Sequence, residues 1–273
     1  MVKKSRGAKG VFITGTDTGV GKTIVAAAII RALMSKGIKV GAMKPIETGC
    51  KKRHGARGTG HGKLIPADGI FLREMAGMSD PLDLVVPARF EYPLAPMVAS
   101  ELEKRPVDPD KIAEAYAELS GKYDFMVVEG AGGLLVPIRN SEELRVMSNE
   151  LKNKKDTKNS SRITHHASPY FMADLIKDLR LPMVVVARPA LGTINHTFLT
   201  VEYAMRKGIE VLGVIINYSS PPGRSIAEKT NPEVLKKLCP APVIGIVPYI
   251  KNITFKNIEK AAIRCIDFSV FFV

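Results

Sequence analysis

An open, doubly wound α/β sheet, mostly parallel and of about seven strands, is the fold that this 273-residue sequence predicts. Three observations lead to it. Short apolar runs alternate along the chain with longer stretches of helical period, the pattern of a parallel sheet covered by helices. The apolar runs are nearly continuous rather than alternating, as strands buried on both faces are. The first of them passes through a glycine-rich turn directly into a helix. The length suits one such unit, so residues 1–273 are expected to form a single domain.

Taken in order, Val11–Thr14 reads as the first strand. Lys22–Lys36 then places Ile24, Ala27, Ala28, Arg31 and Leu33 at helical spacing until Gly37 stops the run. Val40–Lys44 is the second strand and Ala67–Ala76 a helix. Asp108-Pro109 supplies a cap and a first-turn proline for a helix running to Ser120 and Gly121. Phe125–Glu129, Met183–Ala187, Val211–Asn217 and Val243–Val247 are further strands, and Leu84–Val86 makes a seventh if it pairs. Right-handed crossovers join them. The exception is Asn140–Ser168, rich in Lys, Asn and Ser with little apolar period, which reads as a mobile insertion at 141–168.

Apolar residues make up 45% and charged residues 25% of the chain, the balance of a soluble globular protein. No apolar run reaches the roughly 18 residues that span a bilayer, because Arg188 interrupts Met183–Ile194. Met1–Gly10 is basic but lacks the apolar stretch of a signal peptide, so a cytoplasmic protein with no membrane partner is expected. Cys50, Cys239 and Cys265 are odd in number and far apart, which indicates neither a disulfide framework nor a zinc ribbon. His165 and His166 are adjacent, and His54 and His61 lie in a glycine-rich loop, so no histidine pair has metal spacing. The net charge of +13 is confined to Lys3–Lys9, Lys51–Lys63 and Lys152–Arg162. These are a tail and two loops without interleaved aromatic residues, which argues against nucleic acid as a partner.

Chemistry concentrates at the strand ends. Gly15-Thr16-Asp17-Thr18-Gly19-Val20-Gly21-Lys22-Thr23 lies between a strand and a helix, the context in which glycines bring backbone N–H groups and a helix N-terminus against phosphate oxygens. Lys22 supplies a charge for the β- and γ-phosphates and Thr23 a hydroxyl for magnesium. Gly15 stands one place earlier than the strict G-x-x-x-x-G-K-[ST] pattern asks, which makes the loop a variant. Three more strand ends add Lys44-Pro45-Ile46-Glu47-Thr48-Gly49, Glu129-Gly130-Ala131-Gly132-Gly133 and Asn217-Tyr218-Ser219. An open parallel sheet gathers its ligands at these ends. Singly, Lys44 could be a snorkelling surface lysine, Glu129 a salt-bridge partner and Asn217 a turn former. Their occurrence together with the phosphate loop favours a site.

With Gly192-Thr193-Ile194-Asn195-His196, these phrases come in the order and approximate spacing of the dethiobiotin synthetases, and the chain resembles that family from about Gly10 to Ile250. The resemblance implies an ATP-dependent ligase of the P-loop NTPase superfamily. Its reaction would combine 7,8-diaminopelargonate, CO2 or bicarbonate and ATP, with Mg2+, giving dethiobiotin, ADP and phosphate for biotin biosynthesis. It implies Lys44 and Lys22 as catalytic, and Thr23, Asp68 and Glu129 as the magnesium shell. Gly19, Val20, Gly21, Lys22, Thr23, Ile24, Asp68, Glu129, Gly130, Ala131 and Gly132 would hold the nucleotide, and Asn217, Tyr218, Pro248, Tyr249 and Ile250 would border its base. Thr48, Gly192, Thr193 and Asn195 would meet the substrate, the last three across the boundary of a homodimer. Gly19 departs from the glutamate common in that loop, and Tyr218 from the acid that usually follows the base-reading asparagine. A competing reading is a switch-type P-loop ATPase of the partitioning or metal-delivery kind, acting on a protein partner. Its signature lysine belongs early in the loop, where Thr16, Asp17 and Thr18 stand. A glutamine-dependent amidase would need a second domain, for which the chain has no room.

Overall fold

The computed structural model describes residues 10–53, 63–140, 169–221, 223 and 225–272. Six parallel strands form the central sheet: β1 (Gly10–Gly15), β2 (Val40–Met43), β3 (Phe125–Glu129), β4 (Met183–Ala187), β5 (Val211–Asn217) and β6 (Val243–Val247). Their spatial order is β6-β5-β4-β1-β3-β2. In register, β1 sets Phe12 beside Met183 of β4, and Val11 beside Val127 of β3. The chain winds from β1 toward β2 on one side, then crosses β1 to reach β4 on the other. That reversal opens a crevice at the carboxyl end of β1, where side chains from several loops meet. β1, β3 and β4 are buried along their whole length, which is why they appear in the sequence as unbroken apolar runs.

The helices are α1 (Lys22–Ser35), α2 (Ala67–Met75), α3 (Leu82–Val85), α4 (Pro96–Glu103), α5 (Pro109–Ser120), α6 (Met172–Asp178), α7 (Thr193–Arg206), α8 (Ile226–Leu238) and α9 (Phe255–Cys265). α1 packs on β1, β2 and β3 and is itself covered by α9, so Val25 to Ile30 are fully buried. Its alanines keep helix propensity high while allowing this close approach. Gly37, with φ of 80°, ends it, and the Gly37 N–H donates to the Met34 carbonyl. α5 begins as its sequence suggests: Asp108 Oδ1 accepts the N–H groups of Asp110 at 3.1 Å and Lys111 at 3.4 Å.

Leu84–Val86 does not add a seventh strand to the sheet. Pro81 initiates a turn whose carbonyl accepts the N–H groups of Leu84 and Val85, and the segment closes into α3. Val85 and Val86 are fully buried all the same, and the Val85 carbonyl accepts the Lys44 N–H at the end of β2. Three short pairs lie outside the sheet: Ile46–Glu47 with Ala88–Arg89, Lys51–Arg53 with Lys63–Ile65, and Pro137–Arg139 with Tyr170–Phe171. The insertion expected at 141–168, most of the basic loop between residues 53 and 63, and the basic tail before Gly10 lie outside the described residues. Among the described residues no helix is long and apolar enough to cross a membrane.

Candidate active site

The turn after β1 is held open by glycine. Gly19 and Gly21 have φ of 75° and 89°, a region that costs residues with a Cβ. A Cβ on Gly21 would also lie 2.0 Å from Asn217 Nδ2. That amide donates to the Val20 carbonyl at 2.9 Å, so the end of β5 is bonded directly to the phosphate loop. Lys22 starts α1 and folds back, its Nζ donating to the Asp17 carbonyl at 3.0 Å. Burial, with a smaller contribution from Lys44, lowers its pKa to about 8 against the opposing pull of Glu129, Asp17 and Asp68.

Lys44 is the hub. Its Nζ lies 2.7 Å from Glu129 Oε1 and 2.7 Å from Asp68 Oδ2, although the side chain is almost wholly enclosed. Burial works against its charge, but Glu129 and Asp68 outweigh that and hold its pKa above that of an ordinary lysine. Thr23 Oγ1 donates to the same Glu129 oxygen at 2.9 Å. The other one, Glu129 Oε2, is buried without a hydrogen-bond partner.

Sheet order explains the meeting. Lys44 follows β2 and Glu129 ends β3, which are neighbours in the sheet, while Thr23 opens the helix that covers them.

These groups face one cavity of about 700 Å³. Gly19, Gly21, Lys22, Thr23, Ile24, Lys44, Thr48, Asp68, Glu129, Gly130, Ala131 and Gly132 all line it. Val20 does not, since its side chain is fully buried and only its carbonyl serves the loop. Asn217 and Tyr218 do not line this cavity, and the Tyr218 N–H joins the end of β6 through the Val247 carbonyl. Pro248 and Tyr249 are exposed and Ile250 half-buried just beyond that bond. Gly192, Thr193 and Asn195 lie apart from the cavity at the start of α7. Gly192 is the cap residue of α7 and Asn195 is exposed, so Asn195 does not cap the helix. His196 lines a second hollow of about 470 Å³, on the far side of Thr16–Thr18.

One carboxylate in this cavity received no role from the sequence. Glu47 is 5% exposed, and its two oxygens accept the N–H groups of Asp68 at 3.1 Å and Gly69 at 2.9 Å. Burial raises its pKa, against the two N–H groups and Lys44. The phrase Lys44-Pro45-Ile46-Glu47 put a carboxylate near the site, but its partners come from a helix 21 and 22 residues on. Among the described residues, no group of three or more His, Cys, Asp or Glu side chains is gathered so as to hold a metal ion by itself.

A parallel sheet whose central strand runs through a Gly-Lys-Thr loop into a helix, with a lysine and carboxylates at adjoining strand ends, defines the P-loop nucleotide-binding α/β class. A family model described as an AAA domain matches residues 9–152 and 161–257. The septum site-determining protein MinD of Pyrococcus horikoshii, solved with Mg-ADP, aligns over 93% of this chain and 88% of its own, at 18% identity and a TM-score of 0.49. The ATP-dependent dethiobiotin synthetase BioD of Thermodesulfovibrio yellowstonii is 48% identical over 94% of this chain and 96% of its own. Proteins of the same name from Methanocaldococcus jannaschii and Aquifex aeolicus are 38% and 36% identical, over 87% and 88% of this chain and 92% and 86% of theirs. The chain belongs to the dethiobiotin synthetase family.

Proposed function

We propose that this protein uses ATP to carboxylate 7,8-diaminopelargonate with CO2 and close the ring, giving dethiobiotin, ADP and phosphate. The observation that carries the reading is the enclosed Lys44 ammonium, held between Asp68 and Glu129 and facing the same cavity as Lys22. In the first step a substrate amine adds to CO2 and loses a proton, forming a carbamate. A carbamate oxygen then attacks the γ-phosphorus and ADP leaves. The second amine attacks the carbonyl carbon and gives up a proton, the ring closes, and phosphate departs. No protein nucleophile is needed, so the residues act by position and charge. Lys22 would leave the Asp17 carbonyl for the β- and γ-phosphates. Lys44, held protonated by its two carboxylates, would meet the transferring phosphoryl group and the carbamate, and Thr48 the substrate beside it.

Thr23, Asp68 and Glu129 offer hard oxygen donors, and the partnerless Glu129 Oε2 is a buried acceptor suited to a cation. These residues would hold Mg2+, together with phosphate oxygens and water. When bound, the ion neutralises charge on the phosphates. Asn217, Tyr218 and residues 248–250 would border the base. We assign Gly192, Thr193 and Asn195 to the substrate carboxylate of a second subunit in a homodimer. Gly192 and Asn195 are exposed while Thr193 is buried, and none of the three lines the Lys44 cavity, which supports that reading. Residues 1–273 then act as one ligase domain in the cytoplasm.

The test is ADP release measured with each component omitted in turn. Release that requires the diamine and bicarbonate together is the expected result. ATP hydrolysis indifferent to both would overturn the assignment.

A further inference from the structure

We infer that Glu47 is a positioning residue that aims Asp68 at Lys44 by clamping the first turn of α2, an inference that rests on the ligase reading above. α2 opens after Pro66 without a side-chain cap from its own flank. The N–H groups of Asp68 and Gly69 in its first turn are satisfied instead by the two oxygens of Glu47, so a carboxyl group sits at the positive end of the helix. The approach is too close for most side chains. A Cβ on Gly69 would lie 2.0 Å from Val86 Cγ2 and 3.4 Å from Glu47 Oε2.

The origin of the clamp gives it its role. A local Ser or Asp before α2 would stabilise the helix alone. Glu47 lies three residues after Lys44 in the segment that follows β2, and it bonds to the backbone of Asp68 itself. Lys44, Asp68 and Glu47 thus close a ring of contacts in which one short segment sets both members of the Lys44–Asp68 pair. Asp68 needs that support: its side chain is 45% exposed, and on a helix end free to fray it would not stay on the ammonium.

The experiment is a double-mutant cycle. Steady-state kinetics are measured for Glu47→Ala, Glu47→Gln, Asp68→Ala, and each Glu47 change combined with Asp68→Ala. Glu47→Ala is expected to lower kcat about 100-fold with KM for ATP within about threefold, and Glu47→Gln, which keeps one acceptor, to recover to within about tenfold of wild type. In the Asp68→Ala background the Glu47→Ala change should cost less than about threefold, because the residue through which it acts is gone. A second readout is Mn2+ binding to the protein–ADP complex by electron paramagnetic resonance. Affinity should fall about tenfold in Glu47→Ala and no further in the double variant. Equal factors in both backgrounds, or an unchanged kcat, would overturn the inference and leave Glu47 a purely structural cap. Should Glu47→Ala not fold, Glu47→Gln carries the same cycle. Failure of the wild type to form product from diamine and bicarbonate would defeat the ligase reading instead, and the Mn2+ cycle would still decide the clamp.

Discussion

Replacing Lys44 with methionine, which keeps most of the aliphatic stem and removes the charge, separates its catalytic role from its structural one. The ammonium makes two contacts of 2.7 Å in a nearly enclosed site, one of them to a carboxylate that is only 1% exposed. Removing one partner of a buried pair leaves the other uncompensated, which costs about 3–5 kcal/mol; with Asp68 open to solvent, the lower end applies here. In catalysis, loss of the charge beside the transferring phosphoryl group should lower kcat by about three orders of magnitude, or roughly 4 kcal/mol of transition-state stabilisation. The Kd for ATP should stay within about an order of magnitude, because the β- and γ-phosphates retain Lys22 and the loop. The pH behaviour follows from the direction of the shift. The folded-state pKa of Lys44 lies above its ordinary value of 10.5, so the stability it contributes is fully present below that value. It is lost only as pH rises through the still higher folded-state pKa. The wild-type minus variant stability, from urea titrations, should therefore be constant between pH 6 and pH 7, below the range in which Lys22, whose pKa Lys44 helps to lower, titrates. Nucleotide Kd by calorimetry and single-turnover rates complete the assay. An unchanged kcat, or a stability difference that collapses within that window, would refute the reasoning.

Four further outcomes are expected. Lys22, with its pKa lowered to about 8, should take up a proton when a triphosphate binds; calorimetry at pH 8.5 in buffers of different ionisation enthalpy should give uptake of about three-quarters of a proton, and zero uptake would contradict its place at the phosphates. Gly21→Ala must hold a φ of 89° and displace Asn217, so ATP affinity should fall more than about tenfold and stability by at least about 1–2 kcal/mol, whereas wild-type affinity would show the turn to be pliable. Tyr218 places a hydroxyl, not a carboxylate, beside Asn217, the residue proposed to border the base, and spends it on the Glu228 carbonyl that Pro232, lacking an N–H, leaves open in α8. GTP and CTP should then compete with ATP, and a preference for ATP beyond about a hundredfold would count against this reading. Asn195→Ala and Lys22→Ala proteins, each nearly inactive alone, should regain about a quarter of wild-type activity when mixed under exchange, half the dimers then being mixed with one whole site each; no recovery in samples proven to contain heterodimer would mean that each subunit completes its own site.

What the sequence determined by itself was whatever depends on neighbours along the chain. Continuous apolar runs announced β3, β4, β5 and β6 with their observed ends, because strands covered on both faces are apolar over most of their length. Gly21-Lys22-Thr23 announced a phosphate turn, because left-handed backbone and a helix start are local requirements, and Asp108-Pro109 announced a helix start for the same reason. Leu84–Val86 shows the limit: a short apolar run says that a segment is buried but not in which conformation, and Pro81 decided for a helical turn.

Only the tertiary structure decided who meets whom. Asp68 and Glu129 lie 24 and 85 positions from Lys44, and the order β4-β1-β3-β2, set by packing rather than by any local pattern, puts all three on one edge of the crevice. The bonds from Asn217 to Val20 and from Glu47 to the start of α2 are of the same kind. A carboxylate in sequence is a charge with no address. Burial makes a partner for it obligatory, and the fold alone says which backbone or side-chain group that partner is.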